Sequence, residues 1–294
     1  TLAQGGHVFT VLVADAAGNQ AAADWQFTIA SAPSVSVSAL SAIHGIVARD
    51  LTRASRQTGR RLGGLARPFM WLLLVGTGYG AIARLEGGIP YQAFVLPGII
   101  VMAALFRGML TAIATVYDRE FGMLRLMLAS PAGVPAVLAG RALAAALVAM
   151  LQGGIVLACA PFFTPLPASA VGAAVGALAL GSIASATLGL LVAARLRSVE
   201  NFAGVINVVL FPLLFVSGAL YPTAGMPAAL RALARVNPVT YAVDLMRHAL
   251  GQPVEFSAGR DVAVLLGATA IAFTLTALLF DPEQRFVGKT TTRA

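Results

Sequence analysis

Residues 95–116 read VLPGIIVMAALFRGMLTAIATV, an apolar run interrupted by a single charged side chain, that of Arg107. A helix needs about 20 predominantly apolar residues to cross the hydrocarbon core of a bilayer. Further stretches of this kind lie at 67–84, 136–160, 170–194, 202–220 and 261–280. The sequence therefore predicts an all-α polytopic membrane protein with six transmembrane helices.

The composition agrees with a chain that lies mostly in lipid. The 294 residues are 58% hydrophobic and 11% charged, whereas roughly a quarter of a soluble domain is charged. The formal net charge is +8, but the arginines are grouped between the apolar runs, so we expect no nucleic-acid partner. The one cysteine, Cys159, lies in an apolar run, which excludes a disulfide framework within the chain.

Basic residues alternate between the two sides of the predicted helices. They are concentrated before the first span, between spans two and three, between spans four and five, and after span six. Examples are Arg49, Arg53, Arg67, Arg119, Arg125, Arg195, Arg197, Arg285 and Lys289. Because positive loops stay in the cytoplasm, both termini are predicted to be cytoplasmic in a bacterial cytoplasmic (inner) membrane. The segment 221–260, which also carries arginines, is the exception.

The chain before the first span has two parts with different patterns. Residues 1–34 alternate in apolar character around a turn at 15–19, which predicts a short β-hairpin that resembles the end of a bacterial Ig-like domain. They are interpreted as a partial domain or fusion remnant, and 35–42 as a linker. Residues 43–66 place apolar residues and arginines on separate faces, which predicts an amphipathic interfacial helix. Residues 67–280 are assigned to the transmembrane domain and 281–294 to a cytoplasmic tail.

Candidate enzyme chemistry is sparse. His7, His44 and His248 are isolated in the sequence, and no spacing typical of a metal site joins them to other ligands. Gly288, Lys289 and Thr290 look like the end of a phosphate-binding loop, but Glu283 stands where that loop needs glycine. We therefore expect no catalytic residue, metal or cofactor in this chain, and no ATP hydrolysis by it alone.

Two small-residue patterns in the fourth predicted span bear on helix packing. Gly172-x-x-x-Gly176 and Ser185-x-x-x-Gly189 both place small residues one turn apart. Such residues let helix backbones approach closely in a membrane.

The connection between spans two and three has an unusual pattern. Residues 117–131 read YDREFGMLRLMLASP, with charges at the start and apolar residues at 121, 124, 127 and 128. This predicts a short amphipathic helix that ends at Ser130-Pro131. It is either a simple interfacial turn or an element that docks into a groove on a cytoplasmic partner.

A second pattern follows the fifth span. Residues 217–222 read SGALYP, Met226-Pro227 comes next, residues 237–241 read NPVTY, and Arg247 follows. With the 117–131 segment, this order resembles the ABC-2 type permeases over roughly residues 41–290. The stretches 117–120 and 200–204 also resemble the permeases encoded beside quinoprotein alcohol-oxidation systems.

This resemblance implies a permease subunit of an ATP-driven exporter for an amphipathic drug, lipid or lipid-linked glycan. It implies a homodimer, or a pair with a related permease, in contact with membrane lipids. It also implies a separate ATPase subunit that binds ATP and Mg. The coupling segment would contact that ATPase through Asp118, Glu120, Gly122, Leu124, Arg125, Met127, Leu128 and Pro131. The external motif would comprise Gly218, Tyr221, Pro222, Asn237, Pro238, Tyr241 and Arg247, with Asn237-Pro238 as a turn and helix start.

Two other functions remain possible from the residues alone. One is a secondary transporter or channel without a partner. Proton-coupled carriers place carboxylates inside the membrane, yet 121–199 contains no Asp or Glu, and we expect the other spans to be free of them. The other is a structural subunit of a membrane complex.

Arg107 lies near the middle of the second predicted span, where a charge is costly. It is expected either to bind backbone carbonyls or amides such as Gln152 and Asn207, or to face the translocation path and bind an anionic substrate group.

Overall fold

The computed structural model describes residues 5–14, 20–29, 38–56, 58–80, 89–123, 127, 133–163, 165–196 and 198–280. The chain divides into two compact units, 1–37 and 38–294. The predicted tail at 281–294 and residues 35–37 of the predicted linker lie outside the described residues, and the linker residues from Ala39 onward are helical.

The first unit contains a two-stranded antiparallel sheet. Strand β1 spans Gly5–Ala14 and strand β2 spans Gln20–Ile29, with Phe9 opposite Trp25. The predicted β-hairpin is confirmed. Val8 and Phe9 are adjacent and therefore point to opposite faces, yet both are exposed. The resemblance to an Ig-like domain stays a prediction.

The second unit begins with two helices where the sequence analysis expected one over 43–66. Helix α1 spans Ala39–Ser55, and helix α2 spans Thr58–Met70. Helix α2 runs through a π-helical segment, Trp71–Val75, into helix α3, Gly76–Gly80. The first predicted span is therefore helical as far as Gly80, and its last residues lie outside the described part.

The remaining helices give the chain its membrane character. They are α4 Tyr91–Thr111, α5 Ile113–Glu120, α6 Gly133–Ala158, α7 Ala168–Arg195, α8 Val199–Val216, α9 Ala228–Val236, α10 Pro238–Ala249 and α11 Ala258–Leu279. Among the described residues, five helical stretches are long and apolar enough to cross a membrane. These are 91–120, 133–162, 168–195, 199–216 and 258–279. The fold class of an all-α polytopic membrane protein is confirmed.

Serine side chains begin several of these helices. The hydroxyl oxygens of Ser38, Ser198 and Ser257 accept hydrogen bonds from backbone N–H groups in the first turns of α1, α8 and α11. Such caps satisfy donors that have no partner within the helix. They explain why these helices start where they do.

Two prolines inside helices are compensated by glutamines from other parts of the chain. Pro68 has no N–H for the Gly64 carbonyl, and Gln152 Nε2 donates to that oxygen at 2.7 Å. In the same way, Pro97 has no N–H to donate to the Ala93 carbonyl, and this oxygen accepts a hydrogen bond from Gln252 Nε2 at 2.6 Å. A side chain therefore supplies the hydrogen bond that each proline removes.

Helix α4 lies at the centre of the second unit and packs against α6, α7 and α10. Helix α1 packs on α6, where Ile46 meets Gly140. We call the end of the helices that carries Asp118 and Arg195 the Asp118 end. The other end, where the Tyr91 hydroxyl donates to the Leu220 carbonyl, is called the Asn237 end.

The two small-residue patterns in α7 behave differently. Gly189 approaches α4 so closely that an added Cβ would lie 2.7 Å from the Met109 Cα atom. Ser185, in the same pattern, packs against Gly108 of α4. Gly172 and Gly176 have no neighbour within 4 Å of such a Cβ. Only the second pattern therefore mediates helix packing among the described residues.

This difference predicts opposite effects of the same substitution in one helix. Gly189→Ala should lower the stability by about 1–3 kcal/mol, because backbone atoms of α4 would have to move. Gly176→Ala is the matched control and should be neutral or stabilising, since alanine favours a helix over glycine by about 1 kcal/mol. Thermal unfolding of the two purified variants in detergent measures the difference. Equal melting temperatures would contradict the close approach.

Candidate functional site

A buried ion-pair cluster occupies the Asp118 end. The Asp118 carboxylate lies 3.6 Å from Arg49 Nη2, 3.4 Å from Arg53 Nη1, and in direct contact with Arg141 Nη2. The Asp118 and Arg141 side chains are only 7% and 2% exposed. Because these residues belong to α1, α5 and α6, the cluster fastens three helices together.

Met127 and Asp50 complete this cluster. The Met127 sulfur accepts from Arg49 Nη1 at 3.1 Å and from Arg141 Nη2 at 3.2 Å. Asp50 of α1 is partly buried, and that burial raises the pKa of its carboxyl, while the Arg141 guanidinium opposes the shift. The cluster therefore reaches into the connection that follows α5.

Arg119 joins the same end to α7 and α11. Its Nη1 donates to the carbonyls of Ala193, Ala194 and Leu196 at 2.9–3.1 Å. Its guanidinium also stacks 4.9 Å above the Phe280 ring. A cation at the carboxyl end of a helix satisfies carbonyls that have no helical partner.

The predicted coupling residues and their neighbour Phe121 differ in their surroundings. Asp118 is enclosed by arginines of its own chain, so its carboxylate is not presented to a partner. Glu120 and Phe121 are exposed, Phe121 by 76%. Gly122 has a φ of +73°, which ends α5 in a conformation that favours glycine. Leu124, Arg125, Leu128 and Pro131 lie outside the described residues, as do all of 124–126 and 128–130 in the helix predicted over 118–130.

A cavity of about 610 Å³ opens beside the cluster, between α1, α2 and the α4–α5 region. Arg53, Arg67 and Arg107 contribute to its lining, together with Asp50 and Gln152. The rest of the lining is largely apolar and includes Met102, Ala103, Phe106, Leu110, Ile113 and Ala114. The Arg67 guanidinium lies 4.5 Å from the centre of the Phe106 ring, a cation–π distance. The cavity therefore combines cationic groups with apolar surface.

Arg107 itself is partly buried and lines this cavity. Gln152, expected as one of its amide partners, lines the same cavity, and its Nε2 is committed to the Gly64 carbonyl. Asn207 is exposed on α8. The two interpretations of Arg107 stay predictions.

At the Asn237 end, the predicted motif residues lie together. Asn237 caps α10 by accepting from the Val239 N–H at 3.0 Å, and its Nδ2 donates to the Leu213 carbonyl at 2.6 Å. Pro238 is the first residue of α10, so the predicted turn and helix start is confirmed. The Tyr241 hydroxyl donates to the Arg235 carbonyl at 2.6 Å.

The other half of this motif is held by an arginine. Gly218 has a φ of +78°, and its carbonyl accepts from Arg247 Nη2 at 2.7 Å. The Arg247 guanidinium also lies 4.5 Å from the Phe94 ring centre. Pro222 precedes a 3₁₀ turn, Thr223–Gly225, and Tyr221 is exposed. The motif therefore fixes the chain between α8 and α10 against α4.

Sequence reasoning missed two groups of charged residues. Arg141 lies inside the third predicted span, where its contacts with Asp118, Thr115 and Met127 explain why it is tolerated. Asp261 lies in the first turn of α11 and is completely buried, so the expectation of spans without carboxylates is wrong there. The description of His248 as isolated is also wrong, because it lies beside Asp261 and Asp244.

Comparison with known proteins identifies the family. The sequence model of the ABC-2 type transporter family matches residues 41–250. Nodulation protein J of Rhizobium leguminosarum bv. trifolii is 31% identical over 216 residues, which cover 71% of this chain and 79% of that protein. Nodulation protein J of Rhizobium meliloti is 29% identical over 224 residues, which cover 74% of this chain and 84% of that protein. The putative transport permease ycf38 of Cyanophora paradoxa is 28% identical over 210 residues, which cover 69% of this chain and 71% of that protein.

The matched region begins at α1 and ends with α10, so it contains the ion-pair cluster, the cavity and the Asn237 motif, and excludes the β-hairpin. It is well over half of the chain, and it explains why the coupling segment and the Asn237 motif occur in this order. The chain belongs to the ABC-2 type transporter family.

Proposed function

We propose that this ABC transporter permease exports an amphipathic substrate with an anionic group across the bacterial cytoplasmic membrane. The observation that carries the proposal is the cavity at the Asp118 end, where Arg53, Arg67 and Arg107 lie beside apolar surface. Guanidinium groups suit carboxylate and phosphate. Apolar lining suits an acyl chain or another hydrophobic body.

The energy for transport would come from a separate subunit. Membership of the family implies pairing with an ATPase, and we propose that ATP and Mg bind there, with none held by this chain. The sequence offers no phosphate-binding loop, because Glu283 replaces the glycine that it requires.

The proposed contact with the ATPase is the connection after α5. Phe121 and Met123 are exposed apolar side chains at its start, and Leu124 and Leu128 continue the apolar pattern. The ion-pair cluster holds this connection through Asp118 and Met127. A displacement of the connection by the ATPase would therefore move α1, α5 and α6 together.

The proposed orientation follows from charge. The Asp118 end carries Arg49, Arg53, Arg119 and Arg195, so the positive-inside rule puts it in the cytoplasm, with both chain termini. The cavity would then receive its substrate from the cytoplasmic side. We further propose a homodimer, since α8 and α11 each present an exposed apolar face that lipid or a second copy can cover.

A partner-independent secondary transporter is the second candidate. The buried Asp261 favours it, because proton-coupled carriers keep carboxylates in the membrane region. Asp261 lies at the end of a span and outside the cavity, which favours the ABC exporter. Transport that persists without ATP hydrolysis would establish the second candidate.

The apolar face of the coupling segment gives the first prediction. Leu124→Asp should abolish the ATP-hydrolysing activity that co-purifies with the chain, because it places a charge in an apolar contact. Leu40→Asp is the matched control: Leu40 is exposed in the first turn of α1, where an acidic residue suits the helix dipole. Both variants should remain in the membrane fraction. If the Leu124→Asp variant still co-purifies with undiminished ATPase activity, the proposed contact at this segment is wrong.

The ion-pair cluster gives the second prediction. Asp118→Asn leaves the buried Arg141 without its counter-ion and should destabilise the protein by about 3–5 kcal/mol. Glu120→Gln makes the same acid-to-amide change two residues later, at an exposed position, and should cost less than about 1 kcal/mol. Thermal unfolding of the two variants in detergent provides the comparison. A melting temperature of Asp118→Asn equal to that of Glu120→Gln would show that the cluster does not support the fold.

The cavity gives the third prediction. Arg107→Gln should weaken the stimulation of ATPase activity by an anionic amphiphile about 10- to 100-fold, the loss of one charge-assisted hydrogen bond, whereas Arg107→Lys should retain part of it. Arg56→Gln, an exposed arginine outside the cavity lining, is the control and should keep full stimulation. If Arg107→Gln also keeps it, Arg107 does not bind substrate. If Arg107→Gln abolishes assembly, Arg107 has a structural role.

A further inference from the structure

Three potential ligands converge at the Asn237 end, where α10 leads into α11. Asp244 and His248 are four residues apart on α10, so they lie on one face of that helix. Asp261 belongs to the first turn of α11. One ligand atom from each of the three lies within 4.8 Å of the others.

Asp261 is the unusual member of this group. Its side chain is 0% exposed, and neither of its carboxylate oxygens accepts a hydrogen bond from any described residue. The His248 Nε2 atom lies 3.6 Å from Oδ2, beyond hydrogen-bond distance. Buried carboxylates are normally paired, hydrogen-bonded or bound to a metal. Among the described residues, His248 is close enough for an ion pair if protonated, but no group donates a hydrogen bond to either Asp261 oxygen.

The surroundings hold the other ligands in place. The Asp244 carboxylate accepts from the backbone N–H groups of Glu255 and Phe256 at 2.9 and 2.8 Å. The Glu255 N–H is shared with the second oxygen, Oδ2, at 3.2 Å. These bonds fix the orientation of the carboxylate, and Oδ1, which accepts one N–H group, keeps a lone pair for an ion. The Phe256 carbonyl oxygen lies 2.9 Å from His248 Nε2 and accepts a hydrogen bond from it when Nε2 carries the proton. An ion bound to Nε2 would replace that proton, and the carbonyl would then be a further oxygen at the same place.

Two of the separations are close to those between ligands of one ion. Two donor atoms that are each about 2.1 Å from a metal lie about 3.0 Å apart at right angles and about 3.4 Å apart at a tetrahedral angle. The distances from His248 Nε2 to the Phe256 oxygen and to Asp261 Oδ2, 2.9 and 3.6 Å, bracket this range. The Asp244 oxygen is within 4.8 Å of the other two ligand atoms, so its side chain would have to move closer for all of them to meet one ion.

We propose that Asp244, His248 and Asp261, with the Phe256 carbonyl as a fourth ligand, bind one divalent transition-metal ion of the Zn²⁺ or Mn²⁺ type. Two carboxylates and a neutral imidazole carry a net charge of −2, which such an ion neutralises. One nitrogen with several oxygens suits these two ions, whereas Mg²⁺ prefers oxygen ligands alone. His248, whose side chain is 28% exposed, leaves the ion a path from solvent.

The nearby arginines do not occupy the position of the ion. Arg247 donates to the Gly218 carbonyl and stacks on Phe94. Arg260 lies with its guanidinium 4.5 Å from the centre of the Phe256 ring. The bound ion would fasten α10 to the last span through the 250–257 connection.

Metal binding to the purified full-length complex, stripped with a chelator and dialysed against Zn²⁺ or Mn²⁺ alone, tests the site directly. The wild-type complex should bind one ion per chain. Asp261→Asn and His248→Gln should each weaken binding at least about 100-fold, since even an outer-sphere partner contributes 10- to 100-fold. Glu200→Gln, an exposed acid-to-amide change at the start of α8, should bind as the wild type does. None of these readouts depends on transport.

Two results would overturn the proposal. One is a wild-type complex that binds neither ion; Asp261 is then a protonated or His248-paired carboxyl. The other is binding that is unchanged in Asp261→Asn, which means a surface ion only. X-ray absorption at the metal edge of the wild type provides a test that needs no variant: one imidazole nitrogen among oxygen ligands supports the site, and any other ligand set contradicts it.

Discussion

Backbone carbonyls in a membrane must keep a hydrogen-bond donor, and the described structure depends on this constraint. Water cannot supply the donor in hydrocarbon, so at several helix ends and at two of the prolines inside helices a side chain does so. Gln152 and Gln252 donate to the carbonyls freed by Pro68 and Pro97. Arg119 serves the end of α7 in the same way, as do Asn237, Arg247 and Tyr91 at the other end of the helices. Each donor comes from a distant part of the sequence, so the bonds that satisfy the backbone also hold the helices in register.

The contacts between the helices are of two kinds, close packing and polar contacts, because lipid is as apolar as the helix surfaces. Apolar helix surfaces gain little by leaving lipid for one another, so close packing of small residues and polar contacts must provide specificity. Gly189 and Gly108 supply the close approach between α4 and α7 in the middle of the helices. The polar contacts concentrate at the two ends, and the strongest of them, between Asp118 and Arg141, lies where the coupling segment begins. The Asp118–Arg141 contact thus lies directly before the segment proposed to meet the ATPase.

Hydropathy and a few short patterns were enough to predict most of the fold. A window of about 20 residues averages over single charges, which is why the spans were found within a few residues of α4, α6, α7, α8 and α11. Asn237-Pro238 was predictable because a cap and a proline act within one turn. The same averaging hid Arg141 and Asp261, whose charges are tolerated only because of partners that other helices bring close. His248 was judged by its neighbours in sequence, although Asp244 lies one helical turn away and was the available signal.

Arg53 links the two features that the sequence could not connect. Its Nη1 lies 3.4 Å from the Asp118 carboxylate, and its side chain also lines the cavity. An anionic group in the cavity and Asp118 would therefore compete for one guanidinium. Since Arg49 and Arg141 also neutralise Asp118, Arg53 can turn toward a ligand without leaving the carboxylate unpaired. Within the proposed function, occupancy of the cavity would thus change, through Arg53, the electrostatic balance of the cluster that holds the coupling segment.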